Sequence, residues 1–105
     1  MRTAILEYLR DNLEIVGDEA SSILNSYFKT LDSHLSRLKT EITEFDIPAV
    51  RMLTHALTGC SGNIGAAEIV RLSVEINRAA HALDRERMQS RYLELVDTVE
   101  KLKNS

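Results

Sequence analysis

His55 stands where its chemistry would be open to a partner. Between Pro48 and Ile64 the apolar residues Val50, Leu53, Leu57, Cys60 and Ile64 recur at spacings of three and four, the signature of a helix with one buried stripe. At roughly 100° per residue, His55 falls opposite that stripe and shares its face with Arg51, Met52, Thr58, Gly59 and Gly62. A solvated imidazole, with a reference pKa of about 6.5, is in good part neutral at neutral pH and keeps a nitrogen lone pair, so it is a usable nucleophile. Beside it, two residues without side chains leave room for another protein to come very close. Gly59 lies inside the helical pattern, where glycine costs about 1 kcal/mol relative to alanine. Something other than helix stability favours it.

The string His55-Ala56-Leu57-Thr58-Gly59-Cys60-Ser61-Gly62-Asn63-Ile64-Gly65-Ala66 resembles the core motif of histidine-containing phosphotransfer (HPt) domains. That motif reads His-x-Leu-Lys-Gly, then small residues, then Gly-Ala, and it is matched at His55, Leu57, Gly59, Gly65 and Ala66. Downstream, Leu72-Ser73-Val74-Glu75-Ile76-Asn77 is similar to the family's Leu-Cys-x-x-Leu-Glu or Gln segment. The resemblance extends over nearly the whole chain. One departure stands out: Thr58 occupies the place where the family usually has lysine.

The resemblance implies a phosphorelay carrier. His55 would take a phosphoryl group from an aspartyl phosphate on a response-regulator receiver domain, which a hybrid sensor kinase can also carry, and pass it to another receiver. The receiver would supply its own Mg²⁺ and its own cation, so the chain needs no cofactor. Asn77 sits where the family often places Glu or Gln, and its side-chain oxygen would accept a hydrogen bond from the other imidazole nitrogen and fix the tautomer. The usual lysine would make a charge-assisted contact of about 1.5–3 kcal/mol with the phosphoryl oxygens, whereas Thr58 offers a neutral hydrogen bond. Arg51, one turn earlier on the same face, is the candidate to supply the missing charge. The alternative is a non-catalytic module that docks a receiver or another helical protein through the same small-residue face; Thr58 favours it and His55 speaks against it.

Composition excludes several other classes. With 105 residues, 44% hydrophobic and 28% charged, the chain has the size and make-up of one soluble domain, 1–105. A net charge of −3 without a Lys/Arg run argues against nucleic acid, and charges interspersed among the apolar residues argue against a membrane span or a signal peptide. A cytoplasmic location follows as the expectation. Met1 and the lack of linker-like residues favour a free-standing protein, expected to be monomeric, with Tyr8, Met52 and Tyr92 as the residues that a dimer would use. The single Cys60, on the apolar stripe, reads as buried packing, and His34, His55 and His81 are too widely spaced to suggest a metal site. Neither a phosphate-binding glycine loop nor a kinase Lys and Asp set is present, so autonomous phosphorylation from ATP is not expected and the chain is a carrier rather than an enzyme.

Five helical segments must position these groups. Leu6, Leu9, Leu13 and Val16 predict a short first helix stopped by Gly17, after which Asp18 would cap a long second helix with the stripe Leu24, Phe28, Leu31, Leu35, Leu38 and Ile42. Asp46 and Pro48 start the His55 helix. Asn63 and Gly65 turn the chain into a fourth helix with Ile69, Leu72, Ile76, Ala79 and Leu83, and Asp84 caps a fifth with Met88, Tyr92, Leu95, Val99 and Leu102, its tail from Lys101 to Ser105 expected to fray. Short breaks force antiparallel neighbours, and three-four spacing favours crossing angles near 20°. The expected fold is all-α: an antiparallel up-down-up-down four-helix bundle with a short additional N-terminal helix.

Overall fold

The computed structural model describes residues 2–105, which form five helices: α1 Arg2–Leu13, α2 Gly17–Thr43, α3 Ile47–Gly62, α4 Ala67–His81 and α5 Arg85–Lys103. Helices α2 to α5 make the antiparallel four-helix bundle, each packed on the next and α5 closing back on α2. The 27 residues of α2 make it about 40 Å long, which matches the longest dimension of 42 Å. Since α3 and α4 are far shorter, at 16 and 15 residues, α2 overhangs them, and α1 lies across the resulting open end. There Ile5 and Leu9 are buried, Ala4 and Ile5 face Ala66, Ile69 and Leu102 across an apolar cleft, and the Arg2 guanidinium lies 5.3 Å from the Phe28 ring centre. At the other end the Arg85 guanidinium donates to the Thr43 carbonyl at 3.1 Å and covers the Phe45 ring, joining the α4–α5 turn to the α2–α3 turn. No helix is long and apolar enough to cross a membrane among the described residues.

The helix ends divide into those with a side-chain cap and those without. Asp46 and Asp84 cap α3 and α5, accepting from the Ala49 and Arg87 amides at 3.2 and 3.0 Å. The ends of α2, α3 and α4 are closed by a residue in the left-handed region, Phe45, Gly65 and Leu83, each followed by the paired backbone bonds that satisfy the last carbonyls. Two expectations fail at the first turn of the chain. Glu14, with φ 56°, ends α1, and Gly17, with φ 63°, opens α2 instead of stopping α1. Val16, not Asp18, is the N-cap of α2 and gives it no side-chain bond; Asp18 and Glu19 sit in the first turn, where carboxylates favour the exposed amides.

Most of the expected core is buried, with five substitutions of place. On α1 the inward line is Ile5 and Leu9, while Leu6, Leu13 and Val16 are 36%, 50% and 59% exposed, because the helix ends at Leu13 and touches the bundle along a narrow line. On α2, Tyr27 takes the core position expected for Phe28: its hydroxyl lies 2.7 Å from Ser61 Oγ, which satisfies the one polar atom that burial would strand. Burial drives the Tyr27 phenol well above its ordinary pKa, so it stays neutral. On α3, Thr54 and Ser61 are fully buried and Cys60 is only half-buried, since α2 and α4 cover both flanks of the helix. Leu83 is exposed in its left-handed turn and Ala80 is buried instead. Finally, the tail does not fray as expected, for α5 runs to Lys103 and Leu102 is buried against the end covered by α1.

Candidate functional site

Helix α3 sets the reactive face. Pro48, in its first turn, loses no hydrogen bond there, and the Asp46 cap fixes where the helix begins and so which way each later residue points. His55 lies near the middle of α3 and is exposed. It lines a shallow depression with Ile47, Pro48, Arg51 and Met52 of its own helix and Asn77 of α4. The structure thus brings His55, Arg51, Met52 and Asn77 together. Residues buried on α3 and α4 include Thr54, Ser61, Ser73, Ala79 and Ala80, all small enough to let the two helices lie close. Their hydroxyls are satisfied locally: Thr54 donates to the Arg51 carbonyl at 3.0 Å and Ser73 to the Ile69 carbonyl at 2.8 Å.

Each remaining group on the face has a distinct standing. Asn77 Oδ1 is buried and has no hydrogen-bond partner, a cost of about 1–3 kcal/mol for an acceptor left in this state. Arg51 is exposed and makes no ion pair among the described residues, and it is the only formally charged residue of α3. Thr58 is half-buried and its hydroxyl donates to the Thr54 carbonyl at 2.8 Å, so it is turned to its own helix and away from a ligand above His55. Met52 is 62% exposed. A Cβ built at Gly59 or Gly62 meets nothing within 4 Å, so no packing within the chain requires glycine at either place.

That openness gives a test with two opposite signs. Gly59→Leu is expected to stabilise the fold by up to about 1 kcal/mol, through helix propensity, as read by thermal melting. The same change is expected to slow any reaction of His55 with a macromolecular partner by about tenfold or more, because a displacement of about 1 Å suffices to spoil in-line alignment. A variant that is less stable and fully reactive would show that Gly59 serves packing instead.

The other candidate groups stay apart. His34, on α2, donates from Nδ1 to the Thr30 carbonyl at 2.8 Å, and His81 is the last residue of α4. No group of three or more His, Cys, Asp or Glu side chains able to hold a metal occurs among the described residues. Cys60 donates weakly to the Leu57 carbonyl, and burial pushes its thiol above the ordinary range, so it has little thiolate character. Ile47 and Pro48 were missed by the sequence reading; Pro48, two turns before His55, shares its face by the same arithmetic that selected Gly62.

A histidine on the wet side of a bundle helix, with a cation, an unpaired amide oxygen and bare backbone around it, is what carriage of a phosphoryl group between proteins needs. No curated protein and no solved structure matches the chain significantly. The family model of the Hpt domain does match, over residues 22–105, and so takes in α3, α4, α5 and nearly all of α2. The chain belongs to the Hpt domain family, whose members carry phosphoryl groups on histidine in phosphorelays and meet the receiver domains of response regulators.

Proposed function

We propose that His55 is the phosphoryl acceptor, taking the group from a receiver-domain aspartate and passing it to a second receiver. The observation that supports this most is the setting of His55: an exposed imidazole at mid-helix, flanked by Arg51 and Asn77 and by two glycines with open space above them. The imidazole lone pair forms the N–P bond as the acyl-phosphate P–O bond breaks and the aspartate leaves as carboxylate. The other ring nitrogen keeps its proton, and the ring becomes cationic until that proton is lost. Asn77 Oδ1, otherwise unpaired, accepts from this N–H, fixing which nitrogen attacks and meeting the developing positive charge. Arg51 neutralises phosphoryl oxygens in the role the family gives to lysine at position 58. Mg²⁺ belongs to the receiver. The chain supplies position and a nucleophile, not a catalytic centre of its own.

Offering a panel of phosphorylated receiver domains to the protein and following acid-labile phosphate tests this reading. Labelled protein supports it. Tight receiver binding without label would favour the non-catalytic docking module, for which the inward-turned Thr58 hydroxyl is the supporting observation. Arg51→Ala is expected to slow transfer by about 10–100-fold, the loss of one charge-assisted contact. Transfer at the wild-type rate would show that Arg51 does not stand in for the missing lysine.

A further inference from the structure

The surroundings of His55 differ on its two sides along α3. Pro48 and Gly62 lie seven residues before and after it, two helical turns or about 10 Å each way. Toward Gly62 the face is bare: Gly59 and Gly62 have no side chain and Thr58 is tied to its own helix. Toward Pro48 it carries an apolar ledge made by Ile47, Pro48 and Met52. Bare backbone admits any surface of suitable shape and separates partners poorly, whereas projecting side chains reward one partner and obstruct another.

We propose that the Ile47–Pro48–Met52 ledge is the partner-selecting surface of this chain, and that it receives an apolar side chain from the receiver loop beside the phosphorylated aspartate. The inference rests on the phosphocarrier reading. Three observations carry it. Met52 is 62% exposed on a helix whose other long apolar residues Val50, Leu53 and Leu57 are almost wholly buried, so it is the one long apolar side chain of α3 held out to solvent. The ledge and His55 line the same depression, so a protein in line with the imidazole must cover both; a footprint of about 800 Å² per partner spans the whole distance from Pro48 to Gly62. The depression holds the cation Arg51 and no carboxylate, which fits an acidic phosphorylated centre flanked by an apolar group.

The test compares wild type with Met52→Gln, which keeps length and removes apolar character, and with Met52→Leu, which keeps apolar character. Transfer rate is measured against concentration for each receiver that labels the wild type. Met52→Gln is expected to raise the half-saturating receiver concentration about tenfold, the loss of a buried methionine contact, with the plateau rate little changed and Met52→Leu close to wild type. The increase should also differ between receivers. Unchanged half-saturation for Met52→Gln with every receiver overturns the inference and leaves the carrier reading standing. A lower plateau at unchanged half-saturation also overturns it, by placing Met52 in the transfer step. A wild type that takes label from no receiver and none from phosphoramidate overturns both.

Discussion

His55→Gln is expected to abolish the acid-labile label acquired from a phosphorylated receiver, a loss on the order of a thousandfold or more, as follows when a sole nucleophile is removed. Glutamine keeps size and polarity but has no nucleophilic ring nitrogen. His55 is exposed and makes no side-chain hydrogen bond among the described residues, so the change should leave the melting midpoint nearly where it was, within about 0.5 kcal/mol of stability. Receiver binding should survive, since the ledge, the glycines and Arg51 are untouched. Label retained by His55→Gln would transfer the acceptor role to another residue, and His34 and His81 would be the next to replace.

Gly65→Ala should produce the largest loss of stability of any single methyl addition at a glycine. Gly65 has φ 75°, a left-handed conformation that costs an alanine about 1 kcal/mol, and a Cβ there would lie 2.5 Å from Tyr8 Cγ and 2.9 Å from Tyr8 Cβ. The obstructing atoms are at the root of the tyrosine, so rotating the ring gives no relief and α1 itself must move. A total of about 2–4 kcal/mol is expected, which at about 4–8 °C per kcal/mol would lower the melting midpoint by at least about 10 °C. Combining it with Tyr8→Ala should recover the steric part, a coupling that a double-mutant cycle reads directly. A melting midpoint within about 2 °C of wild type would mean that α1 is not seated on the α3–α4 turn in solution.

How far the sequence could be read follows the range of the interaction involved. The face shared by Arg51, Met52, His55, Gly59 and Gly62 depends on one helix and its angle per residue, and Asp46 and Asp84 announce their caps within three residues, so both were legible. The places where reading failed depend on distant partners. Whether Tyr27 or Phe28 enters the core is decided by Ser61, 34 residues away. Which line of α1 turns inward is decided by the uncovered end of the bundle, and Ile5, not Leu6 or Leu13, meets it. The family segment placed Asn77 beside His55, but the unpaired state of its oxygen follows from how close α4 lies to α3. Likewise the residue type at position 58 promised a hydrogen bond to a ligand, and a rotamer settles it on Thr54 instead.

The left-handed positions that end α1, α2 and α4 have a bearing on selection at the reactive face. Glu14, Phe45 and Leu83 adopt φ values of 56–57°, where glycine would be more stable by about 1 kcal/mol each. Only four glycines occur in the chain, and two of them, Gly59 and Gly62, lie within a helix, where glycine is destabilising by a similar amount. Glycine is therefore absent from three turns that would welcome it and present at two helical sites that would not. Folding alone would drive the distribution the other way. A lineage selected for stability would drift toward side chains at 59 and 62 and glycine at 14, 45 and 83, so the retention of bare backbone beside His55 is a footprint of contact with other proteins.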